Sequence, residues 1–222
     1  MGTKQYEREM ASSGAHAGVL YDQLALNTTR EDLVEACQQG DEAAFRALYL
    51  AHRGEVHRIV FRLIGPSDEL EDVVQEVFFQ VHRSIGNFRG NAKFSTWLHR
   101  VAVNVALQHL RRRKAGVVSR LDDRVGERSD EAKCRTPQDC AETQDRLRAV
   151  YSILDEISPK KRAVLVMHDM QGMSAHKVAE IVGAPVFTVR TRLFYARREF
   201  YRKVAAHPAF AGDLSALGMS RK

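Results

Sequence analysis

The chain has 222 residues with 34 Lys or Arg against 28 Asp or Glu, so its formal net charge is +6. This length suffices for one large or two small domains. No apolar run has the length of a membrane span, and the N-terminus lacks the order of a signal peptide, so we expect a cytoplasmic protein. Three cysteines are an odd count, which argues against a disulfide framework.

The first part of the chain predicts a short series of helices. Residues 1–29 show no sustained periodicity, and we predict that they are disordered. Thr29 is a candidate N-cap for a short helix that ends at Gly40. Asp41 then caps a longer helix that ends at Gly65, and Ser67 caps a third helix.

The third predicted helix has two different faces. One face is a stripe of valines and other apolar residues, which is typical of a core. The opposite face carries Asp72, Gln75, Glu76 and Phe79. Because an outward Phe among acids is unusual on a solvated surface, this face predicts a protein contact.

The segment from Phe88 to Lys114 has a strong sign bias. It holds seven Lys or Arg, three aromatic residues and no Asp or Glu. Phosphates attract basic groups and unpaired bases stack on rings, so the pattern favours a nucleic-acid surface over a solvated basic helix. At helical spacing, apolar residues cover most of the surface of this helix. The remaining polar strip consists of Arg100, Asn104 and Arg111 and lies beside Trp97.

A second domain follows a charged stretch. Residues 115–142 contain twelve charged residues and few large apolar ones, which predicts a flexible linker. One helix is predicted before Ser158-Pro159, and a second helix begins at this pair. The second helix ends at Gln171-Gly172, with the pair His168-Asp169 close to its end. We interpret the His-Asp pair as a helix end and not as a catalytic dyad.

Two short helices joined at Gly183 are typical of a helix-turn-helix. Ser174 caps the first, which ends at Val182, and the second begins near Pro185. The residues that the second helix directs outward, as a major-groove reader does, are Thr188, Arg190, Thr191, Phe194, Tyr195 and Arg198. A generic helical hairpin is the alternative.

The fold class predicted is all-α, with two small helical domains joined by a flexible linker. The predicted division is a disordered extension at 1–29, a first domain at 30–114, the linker at 115–142, a second domain at 143–204 and a tail at 205–222.

Both domains carry motifs of a known family. The elements DVVQE, FRG, STWLHRVAVN and PVFTVRTRL occur in this order, within segments that span about residues 40–113 and 143–203. The chain resembles the extracytoplasmic-function (ECF) subfamily of bacterial RNA polymerase sigma factors, the compact class with regions two and four only. The resemblance implies that region two recognises and melts the promoter −10 element and that region four reads the −35 element.

The resemblance also implies roles for particular residues. The loop from Phe88 to Lys93 would capture a flipped base, Asn104 would hydrogen-bond the edge of that base, and Val101 would line its pocket. The full set expected at the −10 element is Phe88, Arg89, Lys93, Trp97, Arg100, Val101, Asn104, Arg111, Arg112 and Arg113. The outward residues of the helix-turn-helix would contact the −35 element.

The implied partners are core RNA polymerase, promoter DNA and an anti-sigma factor. Asp72, Gln75, Glu76 and Phe79 fall where the family docks on the β′ coiled coil, and region four would lean on the β flap. The linker would thread through core polymerase towards the RNA exit path. No cofactor, metal or small-molecule substrate is expected.

The chain departs from the family pattern at several positions. Phe187 stands where the family usually has Gly, and Tyr195 where it often has Arg or His. His176 and Lys177 stand where two acids are common, and residues after Val204 extend past the usual end. The promoter preference therefore cannot be copied from relatives.

Two other functions compete with this interpretation. A sigma-shaped decoy that sequesters an anti-sigma factor would not need Phe88, Trp97, Arg100 or Asn104, and all of these are present. An enzyme is disfavoured because the nine histidines are scattered and neither a phosphate loop nor an HExxH helix occurs.

Overall fold

The computed structural model describes residues 30–116 and 137–210. The predicted N-terminal extension and most of the predicted linker and tail lie outside these residues. Regular structure in the described ranges is entirely helical, as predicted. The α-helices are α1 (Arg30–Gln38), α2 (Glu42–Ile64), α3 (Leu70–Ser84), α4 (Phe94–Gly116), α5 (Pro137–Glu156), α6 (Pro159–Leu165), α7 (Ala175–Val182) and α8 (Val186–Ala206), with 3₁₀ turns at Ile85–Asn87 and Pro208–Phe210 and a π-helical turn at Val166–Met170.

Most helix ends follow the predicted caps. The Asp41 carboxylate accepts the backbone N–H groups of Ala43 and Ala44 at 2.8 and 3.1 Å, which satisfies donors that have no partner inside α2. Gly65 ends the same helix with φ 85° and ψ −173°. Gly183 ends α7 in the left-handed region with φ 62°, where a residue without Cβ is favoured.

Two predicted boundaries differ from the structure. Ser67 does not cap α3, which begins at Leu70. The Ser67 hydroxyl instead accepts the N–H of Glu69 at 3.2 Å, and its carbonyl accepts that of Leu70, so the chain turns once more before the helix. Helix α5 begins at Pro137 inside the predicted linker, because proline fits the first helical position.

The first domain is a helical bundle in which α4 packs against both α2 and α3, and α1 packs on α2. The valine stripe predicted for α3 is buried, and Val74, Val77 and Val81 have no exposed surface. The second domain packs α8 against α6, α7 and α5. As predicted, Val189 and Leu193 of α8 are buried where the helix-turn-helix closes.

The two domains are in contact. Helix α4 of the first domain packs against α7 and α6 of the second, and the buried apolar residues of both form one continuous cluster. None of the helices in the described ranges is long and apolar enough to cross a membrane.

Candidate nucleic-acid interface

Three aromatic rings meet where the loop after α3 joins α4. The ring centroids of Phe88 and Phe94 lie 5.7 Å apart, those of Phe88 and Trp97 lie 5.4 Å apart, and those of Phe94 and Trp97 lie 5.6 Å apart. All three side chains are half-buried, so each ring is fixed on one side and keeps some open surface. Edge-to-face and tilted contacts of this kind hold the rings in place.

A side chain from a distant helix holds the loop. The Gln38 amide nitrogen, at the end of α1, donates to the carbonyls of Phe88 at 2.7 Å and Ile85 at 3.0 Å. These two bonds connect positions about fifty residues apart, and no local sequence pattern marks Gln38 for this role. Sequence reasoning therefore missed a residue that positions Phe88.

The predicted polar strip lies beside the rings. Arg100, Asn104 and Arg111 are exposed, and their spacing of four and seven residues places them on one side of α4. Val101 is half-buried one turn after Trp97. The ring cluster thus lies next to one amide and two guanidinium groups that share one side of α4.

The other basic residues of the predicted set are distributed over different surfaces. Arg89 and Lys93 are exposed in the loop that precedes α4. Arg112 faces α3 and lines a cavity of about 230 Å³ together with Glu69, Asp72 and Glu76. Arg113 pairs with Asp155 of the second domain.

A half-buried histidine lies on the inner side of α4. The Nδ1 atom of His99 is 3.3 Å from the carbonyl of Ser95 and 3.5 Å from the Glu55 carboxylate of α2. Burial lowers the pKa of His99, the cation of Lys177 lowers it further, and Glu55 and the Ser95 carbonyl oppose that shift. The imidazole is therefore favoured in its neutral form.

The acidic face of α3 is exposed as its pattern predicts. Asp72 and Gln75 are exposed, and Phe79 keeps 54% of its surface in solvent. Glu76 accepts a hydrogen bond from Gln80 at 2.9 Å, and the Arg83 guanidinium lies 5.6 Å from the Phe79 ring centroid. An apolar ring surrounded by hydrogen-bonding and charged groups suits a protein partner.

The second domain presents an open reading helix. In α8, Arg190, Thr191 and Arg198 are exposed, while Thr188 is half-buried. Phe194 and Tyr195 are 62% and 51% exposed, and their ring centroids are 5.4 Å apart. A groove of about 510 Å³ runs along this helix, lined by Arg190, Leu193, Phe194, Arg197 and Arg198.

An ion pair fixes the orientation of α8. The Arg197 guanidinium donates two bonds to the Asp169 carboxylate, at 2.8 and 2.5 Å. These bonds hold the pKa of Asp169 below its usual value. The His168 imidazole lies 2.8 Å from the same carboxylate at the end of the π-helical turn. The interpretation of the His-Asp pair as a helix end agrees with this geometry, although its bond to α8 was not predicted.

Comparison with known proteins identifies the family. The Sigma-70 region 2 family model matches residues 48–116, and the Sigma-70 region 4 model matches residues 147–200. The chain is 33% identical over 172 residues to the RNA polymerase sigma-H factor of Pseudomonas aeruginosa, a match that covers 75% of this chain and 89% of that protein. It is 32% identical over 181 residues to the ECF RNA polymerase sigma-E factor of Escherichia coli, covering 79% and 94%.

The chain belongs to the ECF sigma factors. A sigma factor binds core RNA polymerase and promoter DNA and acts in transcription initiation. In this sigma factor region two corresponds to α2–α4 and region four to α5–α8.

Two solved structures share the fold of this sigma factor. One is CnrH in complex with the cytosolic domain of CnrY, with a TM-score of 0.54, 22% identity and coverage of 78% of this chain and 96% of that one. The other is RpoE of Bartonella quintana in complex with the anti-sigma factor NepR, with a TM-score of 0.53, 18% identity and coverage of 72% and 96%.

Proposed function

We propose that this sigma factor holds the melted −10 element on α4 and the loop before it, and reads the −35 element with α8. The observation that carries the proposal is the cluster of Phe88, Phe94 and Trp97 beside Asn104 and Arg100. Rings fixed against one another offer a stacking platform that needs little further ordering when a base arrives.

The chemistry of the cluster suits an unpaired base. Extruding a base from a duplex costs a few kcal/mol. Stacking on an aromatic side chain recovers about 1–3 kcal/mol per base, and the Asn104 amide offers both a donor and an acceptor to a base edge. Arg100, Arg111, Arg89 and Lys93 supply cations for the backbone of the same strand.

The second domain suits a double-stranded element. The exposed residues of α8 include two guanidinium groups, Arg190 and Arg198, and the hydroxyl of Thr191. Arginine can pair bidentately with guanine in the major groove, which distinguishes sequences there. Because Phe187 and Tyr195 add bulk to this face, we expect a −35 preference that differs from those of relatives.

The acidic face of α3 is the proposed docking surface for the coiled coil of the β′ subunit. Asp72, Gln75 and Glu76 offer polar contacts, and Phe79 offers an apolar anchor. Since a solved relative is bound to an anti-sigma factor, we propose that such a protein also restrains this chain. On this proposal the sigma factor acts in the cytoplasm, where it binds polymerase and promoter DNA.

The test is transcription initiation with purified core polymerase on promoter fragments selected from genomic DNA. Asn104→Ala and Phe88→Ala should each reduce the permanganate reactivity of the melted strand while leaving core binding intact. Gln39→Ala, which removes an exposed amide next to Gln38 and leaves the two bonds from Gln38 to the loop in place, is the matched control. Unchanged permanganate reactivity in both variants would refute the pocket, and failure of the wild-type chain to initiate at any site would favour a decoy.

A further inference from the structure

Phe187 leaves a large apolar ring in solvent at the start of the proposed reading helix. It is the second residue of α8 and is 80% exposed, more than any other large apolar residue in the described ranges. An apolar ring in water contributes little to the stability of its own fold. A partner that covers the ring would account for its presence at this position.

The ring lies on the outer face of α8. Val189 and Leu193 are 0% and 6% exposed and hold the opposite face of the helix against the second domain. Arg190 and Thr191 follow Phe187 by three and four residues and are exposed, and residues at this spacing are neighbours on a helix surface. In a helix-turn-helix, the N-terminal residues of the second helix contact base edges in the major groove. Phe187 therefore stands where a base contact is expected.

Thr191 adds a methyl group next to the ring. Its hydroxyl donates to the carbonyl of Phe187 at 3.0 Å, so the hydroxyl hydrogen is used inside α8. Thr191 therefore keeps a methyl group and an acceptor oxygen for a ligand, but no free donor. Together, Phe187 and Thr191 form an apolar pair at the start of the helix.

The charge around the apolar pair favours DNA as its partner. Residues 186–198 contain four Arg and no Asp or Glu. Arg190 and Arg198 are exposed, and both line the groove of about 510 Å³ along α8. A duplex offers phosphates on the rims of its major groove and base edges on the floor, so cations beside an apolar pair match it.

The base that suits the apolar pair is thymine. Thymine is the base that presents a methyl group in the major groove, and Phe and the methyl group of Thr are among the side chains that contact it. A cytosine at the same place presents an amino donor next to its unmethylated ring edge. Against a phenyl ring that donor would lose its hydrogen bond to water, which disfavours cytosine.

We propose that Phe187 is a specificity-determining residue that selects a thymine in the −35 element, by packing its ring on the methyl group of that base in the major groove. The Thr191 methyl group lies beside the same contact. The inference rests on the proposed role of α8 in reading the −35 element. It adds that one position of the element is recognised by apolar contact and not by a hydrogen bond.

The experiment uses holoenzyme assembled from purified core polymerase and the full chain. Its −35 element is first selected from a duplex that is randomised upstream of a melted −10 segment. Each thymine of the selected element is then replaced in turn by uracil, which removes the methyl group and keeps every hydrogen-bonding group. At one position the wild-type holoenzyme should lose affinity about fourfold, the effect of withdrawing one methyl group from an apolar contact. With Phe187→Ala, the same replacement should leave the affinity unchanged.

Tyr201→Ala is the matched control. It removes another exposed ring, 58% exposed, near the opposite end of α8, and should keep the full loss on replacement of thymine by uracil. Because Phe187 and Tyr201 are both exposed, neither variant removes a buried contact. Both should show the helical circular dichroism of the wild-type chain, so that a change in affinity reports on the contact with DNA.

A methyl effect that disappears in Phe187→Ala and persists in Tyr201→Ala supports the inference. An equal methyl effect in the wild-type chain and Phe187→Ala overturns it, as does a wild-type holoenzyme that tolerates uracil at every position. In either case the proposed function still stands if Arg190→Ala weakens −35 binding. It fails as well if Arg190→Ala and Phe187→Ala both bind the element like wild type.

A third readout separates DNA from a protein partner. The affinity of Phe187→Ala for core polymerase in the absence of DNA should equal that of the wild-type chain. A chain that binds core polymerase more weakly but keeps the methyl effect overturns the inference and assigns the ring to a contact with the polymerase.

Discussion

Substitution of Gly65 by Ala gives the sharpest test of how the two domains meet. Gly65 ends α2 with φ 85° and ψ −173°, a backbone region that is essentially restricted to glycine. A side chain there costs about 1–3 kcal/mol of stability wherever the neighbours lie. An added Cβ would also lie 2.6 Å from Cδ1 and 2.8 Å from Cγ of the Tyr151 ring, which belongs to α5 of the second domain.

The Tyr151 ring cannot easily yield. It is 6% exposed, its hydroxyl donates to the carbonyl of Phe61 at 3.3 Å, and its centroid is 6.1 Å from that of the Phe61 ring. Gly65→Ala should therefore lower the free energy of unfolding further through the clash with the Tyr151 ring, and this second loss should disappear in a chain that also carries Tyr151→Ala. In a double-mutant cycle we expect a coupling free energy of about 1–3 kcal/mol between these sites.

The assay is urea denaturation followed by the fluorescence of Trp97, which is the single Trp of the chain. Gly54→Ala is the control, because its Cβ would have no neighbour within 4 Å and the helix interior favours Ala by about 0.5–1 kcal/mol. A coupling within about 0.5 kcal/mol of zero would show that the Tyr151 ring does not cover Gly65, and the description of the domain contact would be wrong.

Acid should destabilise the fold in a defined window. Burial lowers the pKa of His99 below 6.5, so the unfolded chain binds more protons, and stability falls as pH drops from 6.5 towards the pKa of the folded state. The free energy of unfolding should be lower at about pH 5.5 than at about pH 7.5, and this difference should be smaller in His99→Gln. The control His176→Gln, which changes an exposed ring, should keep the full difference. An equal difference in both variants would contradict the assignment to His99. Arg190→Ala should weaken −35 binding by about 1–3 kcal/mol if it contacts a base, or lower the salt slope by about 1 if it contacts a phosphate. Arg202→Ala, three turns along α8, is the control, and an effect as large as that of Arg190→Ala would refute the expected register of the helix.

Short sequence patterns at the helix ends predicted much of the fold. Helices begin after Asp41 and Ser174 and end at Gly65 and Gly183, as their capping side chains and the freedom of glycine at positive φ predicted. These positions were predictable because capping depends on a few neighbouring residues. Ser67 misled for the same reason: a serine hydroxyl can accept from a turn as readily as from a helix start, and sequence does not separate the two.

The candidate site was predictable in composition but not in its contacts. The rings and the polar strip of α4 follow from spacing, whereas Gln38, which holds the carbonyl of Phe88, has no local signal. Arg111, Arg112 and Arg113 are adjacent and chemically identical, yet they face solvent, α3 and Asp155 respectively. Successive helix positions differ by about 100°, so their surroundings depend on which elements pack against each side.

Periodicity, capping and charge act over a few residues. The sequence by itself therefore determined the order of the helices, the division into two domains, the basic and acidic surfaces and the family motifs. Only the tertiary structure decided that α7 and α6 lie across α4, that Tyr151 covers Gly65 and that Asp155 of α5 neutralises Arg113. The reason is physical: the apolar face of α4 specifies that it must be covered, but hydrophobic burial has no direction, so the sequence pattern does not specify by what.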